Sequence, residues 1–293
     1  MREKNYNLEI LRVIACLCVL LIHISNTYSR GFEEISRSSY MFSLIINSVS
    51  RIAVPIFFML SGALLIKANL DLKKCVKRAA KFTIILIVWS ALYLIWNKFV
   101  MDQTYDFTNI FSIPAKKHLW YLYALITIYI ALPFVQILFA NMSERAEKYF
   151  MILWFAFLTI RYVGELFEIP MAYKVPIVGD SCYLGYFVMG YFLSKYIRQF
   201  KFNDTVGIIL IVMANAVNIG LTYYYSVVAG VHQEQFFQYR NTLLAFSSAI
   251  IFIMVYRKKE LNLSTTKKKI INVISKNSFE LYLVHILFLD IIK

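Results

Sequence analysis

Acidic side chains are few. The chain sets 17 Asp and Glu against 31 Lys and Arg, and charged residues of both signs make up only 16% of its 293 residues. A surface so poor in charge does not suit a pair of soluble domains, the usual expectation for this length. Glycine and proline are also sparse, at nine and five, so the turns must be short. Of the four cysteines, Cys16 and Cys18 lie inside the first apolar run, Cys75 in a basic segment and Cys182 near a predicted helix end. That spacing offers neither a disulfide framework nor a metal site.

What is abundant is apolar. Hydrophobic residues reach 60% and mean hydropathy is +0.61. The 24 Phe, 21 Tyr and 4 Trp suit rings that face lipid and anchor at its interfaces. Apolar runs long enough to span a bilayer are predicted at roughly 8–28, 41–67, 82–100, 118–140, 149–168, 176–195, 205–228, 239–256 and 271–292. The expected fold is all-α, a polytopic membrane bundle of about nine to ten helices forming one domain over residues 1–293. The first run resembles a signal peptide, but no small-residue cleavage pattern follows it, so it is read as a retained helix.

In a soluble protein a net charge of +14 would suggest nucleic acid. Here the cations lie between apolar runs, which favours anionic lipid headgroups and an anionic cytosolic ligand as partners and excludes nucleic acid. One alternating set of loops carries Lys73, Lys74, Lys77, Arg78 and Lys81, then Arg145 and Lys148, then Lys195, Arg198 and Lys201, then Arg257 to Lys259 and Lys267 to Lys269. The other carries only Arg30, Arg37, Lys116, Lys117 and Lys174. The positive-inside rule then puts the amino terminus in the cytoplasm of a multi-pass plasma-membrane protein.

An ionisable residue inside a span is costly unless something explains it. Arg12 and His23 are eleven residues apart, about 20° past three full helical turns and roughly 16 Å along the axis. They therefore share a face at two depths. Arg12 can instead snorkel at a helix end, and His23 can be a core histidine bonded to a neighbouring helix. Arg51 falls near mid-membrane, and a structural ion pair with Glu165 or Glu280 is its alternative reading. Pro55, four residues on, leaves a backbone carbonyl without its helical partner.

The Arg12-x10-His23 spacing resembles the Arg/Lys-x10-His motif of the acyltransferase 3 family of membrane O-acyltransferases. Further segments resemble that family in order: Arg51 to Gly62, including Pro55, Phe57, Phe58 and Ser61; His118, Trp120 and Tyr121 with Tyr129 and Pro133; Gly185 to Tyr191; and Ser278 to His285, including Glu280 and Tyr282. One departure concerns the Arg-x-x-Arg that members often carry after the second helix. This chain has Arg78 and Lys81 there, preceded by Lys77, and lysine lacks the bidentate fork.

The resemblance implies an acetyl or other short acyl group carried on coenzyme A and transferred from the cytoplasm to a hydroxyl of a cell-envelope glycan, as in polysaccharide O-acetylation, or of a lipid-linked sugar. No permanently bound cofactor or metal is expected. In this reading His23 is the general base and Arg12 supports it, while Arg51, Ser61, Lys77, Arg78 and Lys81 bind the donor. His118, Trp120, Tyr121, Glu280, Tyr282 and His285 hold or support the acceptor. Taken singly, Trp120 and Tyr121 equally suit an interfacial aromatic belt, and the basic segment an ordinary positive-inside loop. A transporter or flippase, and a structural or sensory component, are the competing classes.

Overall fold

The computed structural model describes residues 5–67, 70–105, 113–169, 182–258 and 263–292, and all of their regular elements are helical. In chain order these are α1 (Tyr6–Arg30), α2 (Arg37–Ser50), α3 (Ala53–Leu65), α4 (Leu72–Phe99), α5 (Trp120–Asn141), α6 (Glu144–Leu166), α7 (Cys182–Lys195), α8 (Asp204–Ala229), α9 (Thr242–Tyr256), α10 (Thr265–Lys276) and α11 (Ser278–Ile292). Short 3-10 turns precede α5 at Lys117–Leu119 and α9 at Gln235–Phe237. Among the described residues, seven helical stretches are long and apolar enough to cross a membrane, with α2 and α3 together forming one of them.

Local chemistry sets the ends. The Asn5 side chain accepts the Asn7 amide at the start of α1, Ser143 accepts that of Ala146 before α6, and Ser264 that of Lys267 before α10. These oxygens satisfy amide donors that a helix cannot pair internally. Glu9 in the first turn of α1 and Arg30 in its last both complement the helix dipole. Gly230 closes α8 at φ 70°, a conformation in which a side chain would be strained.

Three sequence expectations are corrected. The second span, 41–67, is two helices that break at Arg51 and Ile52; Pro55 has no N–H for the Arg51 carbonyl, and helical bonding resumes at Ile56, whose N–H reaches Ile52. The ninth, 271–292, is also two helices. The consecutive lysines Lys267 to Lys269 belong to the amphipathic α10, and the Asn277 side chain folds back on the Val273 carbonyl before α11 begins. The segment from Lys73 to Lys81 is not a loop but the first turns of α4, capped by Asp71. The eighth span, 239–256, falls within the stretch Gln235–Tyr256, of which α9 is the α-helical part. Part of the predicted 176–195 span, together with Lys174, lies outside the described residues.

The chain divides into two compact units, Met1–Leu65 with Ser143–Tyr282, and Ile66–Met142 with Leu283–Lys293. In the first, α3 against α7 is the most extensive helix pairing. Two glycines allow it: a Cβ on Gly62 would strike the Phe187 backbone carbonyl, and one on Gly190 the Met59 carbonyl. Such backbone contact is how helices associate where lipid supplies no hydrophobic drive. Gly190→Ala is therefore expected to destabilise the protein by about 1–3 kcal/mol. Gly220→Ala on α8, where a Cβ meets nothing within 4 Å, is expected to be neutral or stabilising by about 0.5–1 kcal/mol. Unfolding in mixed micelles compares the two.

The charges of the fifth span have a structural explanation. Glu165 lies 2.9 Å from Arg240 and 3.5 Å from Arg161. In the second unit α4 packs on α5, with Phe82 against Tyr129 and the Tyr93 hydroxyl donating to the Leu283 carbonyl at 2.7 Å.

Candidate functional site

The polar face of α1 organises the first unit. Helical spacing puts Arg12, His23, Asn26 and Arg30 in one stripe, with Arg12 and Arg30 eighteen residues apart and thus about five full turns. At the amino-terminal end, Arg12 Nη1 bonds Glu9 Oε2 at 3.0 Å, so its charge is met one turn away. His23 is half-buried, next to a cluster of Val19, Ile22 and Ala53 that Phe57 and Tyr282 complete. Asn26 follows His23 by three residues, the spacing of neighbours on one helix face.

Asn26 is the hinge of the constellation. Its Oδ1 accepts from Asn47 Nδ2 at 2.7 Å and from Arg51 Nη2 at 3.3 Å. Arg51 Nε donates to Asn47 Oδ1 at 2.7 Å, and Asn47 Nδ2 also reaches Ser25 Oγ at 3.0 Å. Arg51 is 8% exposed, with the Phe237 and Tyr239 rings 5.7 and 5.9 Å from the centre of its guanidinium. Among the described residues no carboxylate lies within 4 Å of it. An ion pair with Glu165 or Glu280 is therefore excluded: Glu165 is held by Arg240 and Arg161, and Glu280 is exposed in the first turn of α11. Arg51 is a buried cation whose direct hydrogen bonds go to neutral amides, with Glu234 acting on it only beyond ion-pair distance, a state that suits a negative group bound beside it.

The segment between α8 and α9 completes this end of the unit. His232 Nδ1 lies 2.8 Å from the Tyr40 hydroxyl, which also donates to Ser226 at 2.8 Å. Glu234 pairs with Arg30 at 3.2 Å, and its Oε1 is 3.9 Å from His232 Nε2. Burial lowers the His232 pKa, Arg51 and Arg30 act the same way, and Glu234 opposes them. For Glu234 burial acts upward, but Arg51 and Arg30 outweigh it and hold the carboxyl below its ordinary range. Both shifts have one sign for stability: the unfolded chain takes up protons more readily, so stability present near neutral pH is lost as pH falls. The thermal midpoint is expected to drop as pH goes from about 7.5 to 5, first through the ordinary histidine range. His232→Asn should flatten that first part of the curve.

Sequence reading did not find Asn26, Asn47, His232, Glu234 or Tyr239. The first two were open to it, since Asn47 precedes Arg51 by four residues and Asn26 follows His23 by three. No local pattern marks the other three.

In the second unit, His118 sits in the 3-10 turn before α5, 3% exposed. Its ring meets Tyr93 edge-on at 4.9 Å and the buried His285 at 5.3 Å. Close by in sequence, Lys116 Nζ contacts Asp290 at 2.6 Å and Asn97 at 3.0 Å. Trp120 and Tyr121 are half-buried and meet edge-on at 6.2 Å. His118 and His285 are thus brought together, whereas Glu280 and Tyr282 fall in the other unit.

The remaining residues are more dispersed. Ser61 Oγ donates to the Phe57 carbonyl of its own helix at 3.0 Å. Lys77 and Lys81 are exposed and Arg78 half-buried in the opening turns of α4. Between Arg12 and His23 along α1 lies a void of about 10 Å³, lined by Cys16, Val19, Leu20, Phe57, Ser278, Leu281 and Tyr282. That is room for about one water.

A family model described as an acyltransferase domain matches residues 5–293. No curated protein and no solved structure matches the chain.

Proposed function

Since the chain belongs to the acyltransferase 3 family, a family of acyl-transferring enzymes, we propose that it moves an acetyl or similar short acyl group from cytoplasmic acyl-coenzyme A to a hydroxyl of a cell-envelope glycan or lipid-linked sugar. The His23 imidazole takes the proton of the acceptor hydroxyl as that oxygen attacks the thioester carbonyl. The carbon–sulfur bond breaks and the coenzyme leaves as its thiolate. Arg51, held by Asn26 one turn from His23, stabilises the oxyanion that forms on the carbonyl oxygen. Arg12 positions the donor from the amino-terminal end of α1, taken as cytoplasmic with the enzyme in the plasma membrane. Ser61, Lys77, Arg78 and Lys81 add donor contacts. His118, Trp120 and Tyr121, with His285 behind them, support the acceptor, to which Glu280 and Tyr282 are assigned secondary roles.

The observation that carries this reading is the buried Arg51, oriented by two asparagines, with no carboxylate within 4 Å among the described residues and Glu234 acting on it only from further off. Purified enzyme in nanodiscs with acetyl-coenzyme A and a solubilised envelope-glycan fraction is expected to release free thiol only when the acceptor is present. Sugar flux across proteoliposomes with no thiol release would replace the proposal with a transporter.

A further inference from the structure

A second basin opens at the end of the first unit where α1 begins. Its volume is about 700 Å³, and Ile197, Arg198, Phe200, Lys201, Phe202, Tyr256 and Arg257 line it. The end is fixed by Asn7, whose amide donates to the Lys258 carbonyl at 2.7 Å and the Tyr256 carbonyl at 3.5 Å. Arg12 therefore lies about five residues, roughly 8 Å, further along α1.

The walls differ in character. Arg257 is committed to structure: it pairs closely with Asp204, donates to the Phe200 carbonyl at 3.4 Å and lies 4.4 Å over the Phe202 ring. Arg198 and Lys201 are exposed, with no carboxylate within 4 Å among the described residues. The rings are held in place. Phe200 meets Phe192 edge-on at 6.5 Å, and Phe202 rests on Gly207, where an added Cβ would come within 2.9 Å of it. Two uncommitted cations beside fixed aromatic faces suit a ligand that carries both phosphates and a flat ring.

We infer that this basin binds the nucleotide end of the acyl donor, a purine nucleotide bearing several phosphates. The inference rests on the proposed use of acyl-coenzyme A and adds a place for the part of that molecule remote from the chemistry. Arg198 and Lys201 take the phosphates, and Phe200 or Phe202 offers a face to the base. From Asn7 to His23 the helix rises about 24 Å, a separation that a donor with a long flexible arm between phosphate and thioester can cover. The small void along α1 lies on that course.

The test is calorimetric titration in nanodiscs of neutral phosphatidylcholine, with coenzyme A, adenosine 3′,5′-bisphosphate and pantetheine as probes. The Arg198→Ala/Lys201→Ala variant changes only exposed side chains, and an unchanged thermal midpoint verifies its fold. Its Kd for coenzyme A and for the bisphosphate is expected to rise at least about tenfold, with pantetheine binding unaffected. Equal affinities of wild type and variant for both nucleotides overturn the inference and leave the donor assignment standing. Absence of acyl transfer from acyl-coenzyme A, with nucleotide binding still lost in the variant, removes the donor assignment and leaves the nucleotide pocket. In nanodiscs containing phosphatidylserine, competition between lipid and bisphosphate would identify a headgroup site and overturn the inference.

Discussion

Replacing His23 with alanine is expected to lower kcat for acyl transfer by about 10²–10⁴-fold, the usual contribution of a positioned general base. The effect should fall on kcat, because the imidazole is needed when the hydroxyl proton is moving and contributes little to holding the donor beforehand. His23 is half-buried on α1 and its side chain is not in the tightest part of the core. The alanine variant should therefore fold, and a thermal midpoint close to wild type separates lost chemistry from lost structure. His23→Gln keeps a hydrogen-bonding side chain but cannot take up a proton, and is expected to be as inactive as alanine. Near-wild-type turnover in either variant would refute the assignment.

Arg51 is expected to give the next largest loss. Arg51→Lys keeps the charge but cannot reach both Asn47 Oδ1 and Asn26 Oδ1 in the geometry the guanidinium holds, 2.7 and 3.3 Å from them. A fall of about 10²–10³-fold in kcat is expected, as when one oxyanion donor is removed. A sharper discriminant is Asn26→Asp. That change gives the buried guanidinium a directly bonded carboxylate, so the fold should hold or gain stability. Its positive charge, however, is then spent on a permanent partner, and kcat should drop by at least about tenfold. If Arg51 served packing alone, Asn26→Asp would leave turnover unchanged. Steady-state kinetics paired with thermal unfolding reads both quantities on the same samples.

Much of this architecture is legible in the residue order. Long apolar runs announced the spans, because a bilayer demands about twenty such residues in a row and internal backbone bonding throughout. The segments from Arg51 to Gly62 and from Gly185 to Tyr191 stood out before their role was visible. In the structure they face each other as α3 and α7, and their glycines mark where backbones meet.

The rest was hidden for physical reasons. Hydropathy averages over a window, so the break at Arg51 and the passage from α10 to α11 at Asn277 were smoothed into single spans. An asparagine in an apolar run has no periodic signature, and only pairing in space shows that Asn26 and Asn47 orient a guanidinium. The ring of Tyr239 and the side chains of His232 and Glu234 come from a turn about two hundred residues away in sequence, and no local pattern reports so distant a contact.

The central claim, that His23 is the general base for acyl transfer from a donor that enters at the amino-terminal end of α1, is most directly tested in sealed inverted membrane vesicles supplied outside with coenzyme A carrying a radiolabelled acetyl group. Label is expected on envelope glycans in vesicles containing wild-type protein, and none above background with His23→Ala expressed at the same level. Equal labelling by the two proteins would contradict the account, as would wild-type labelling that requires donor sealed in the vesicle lumen.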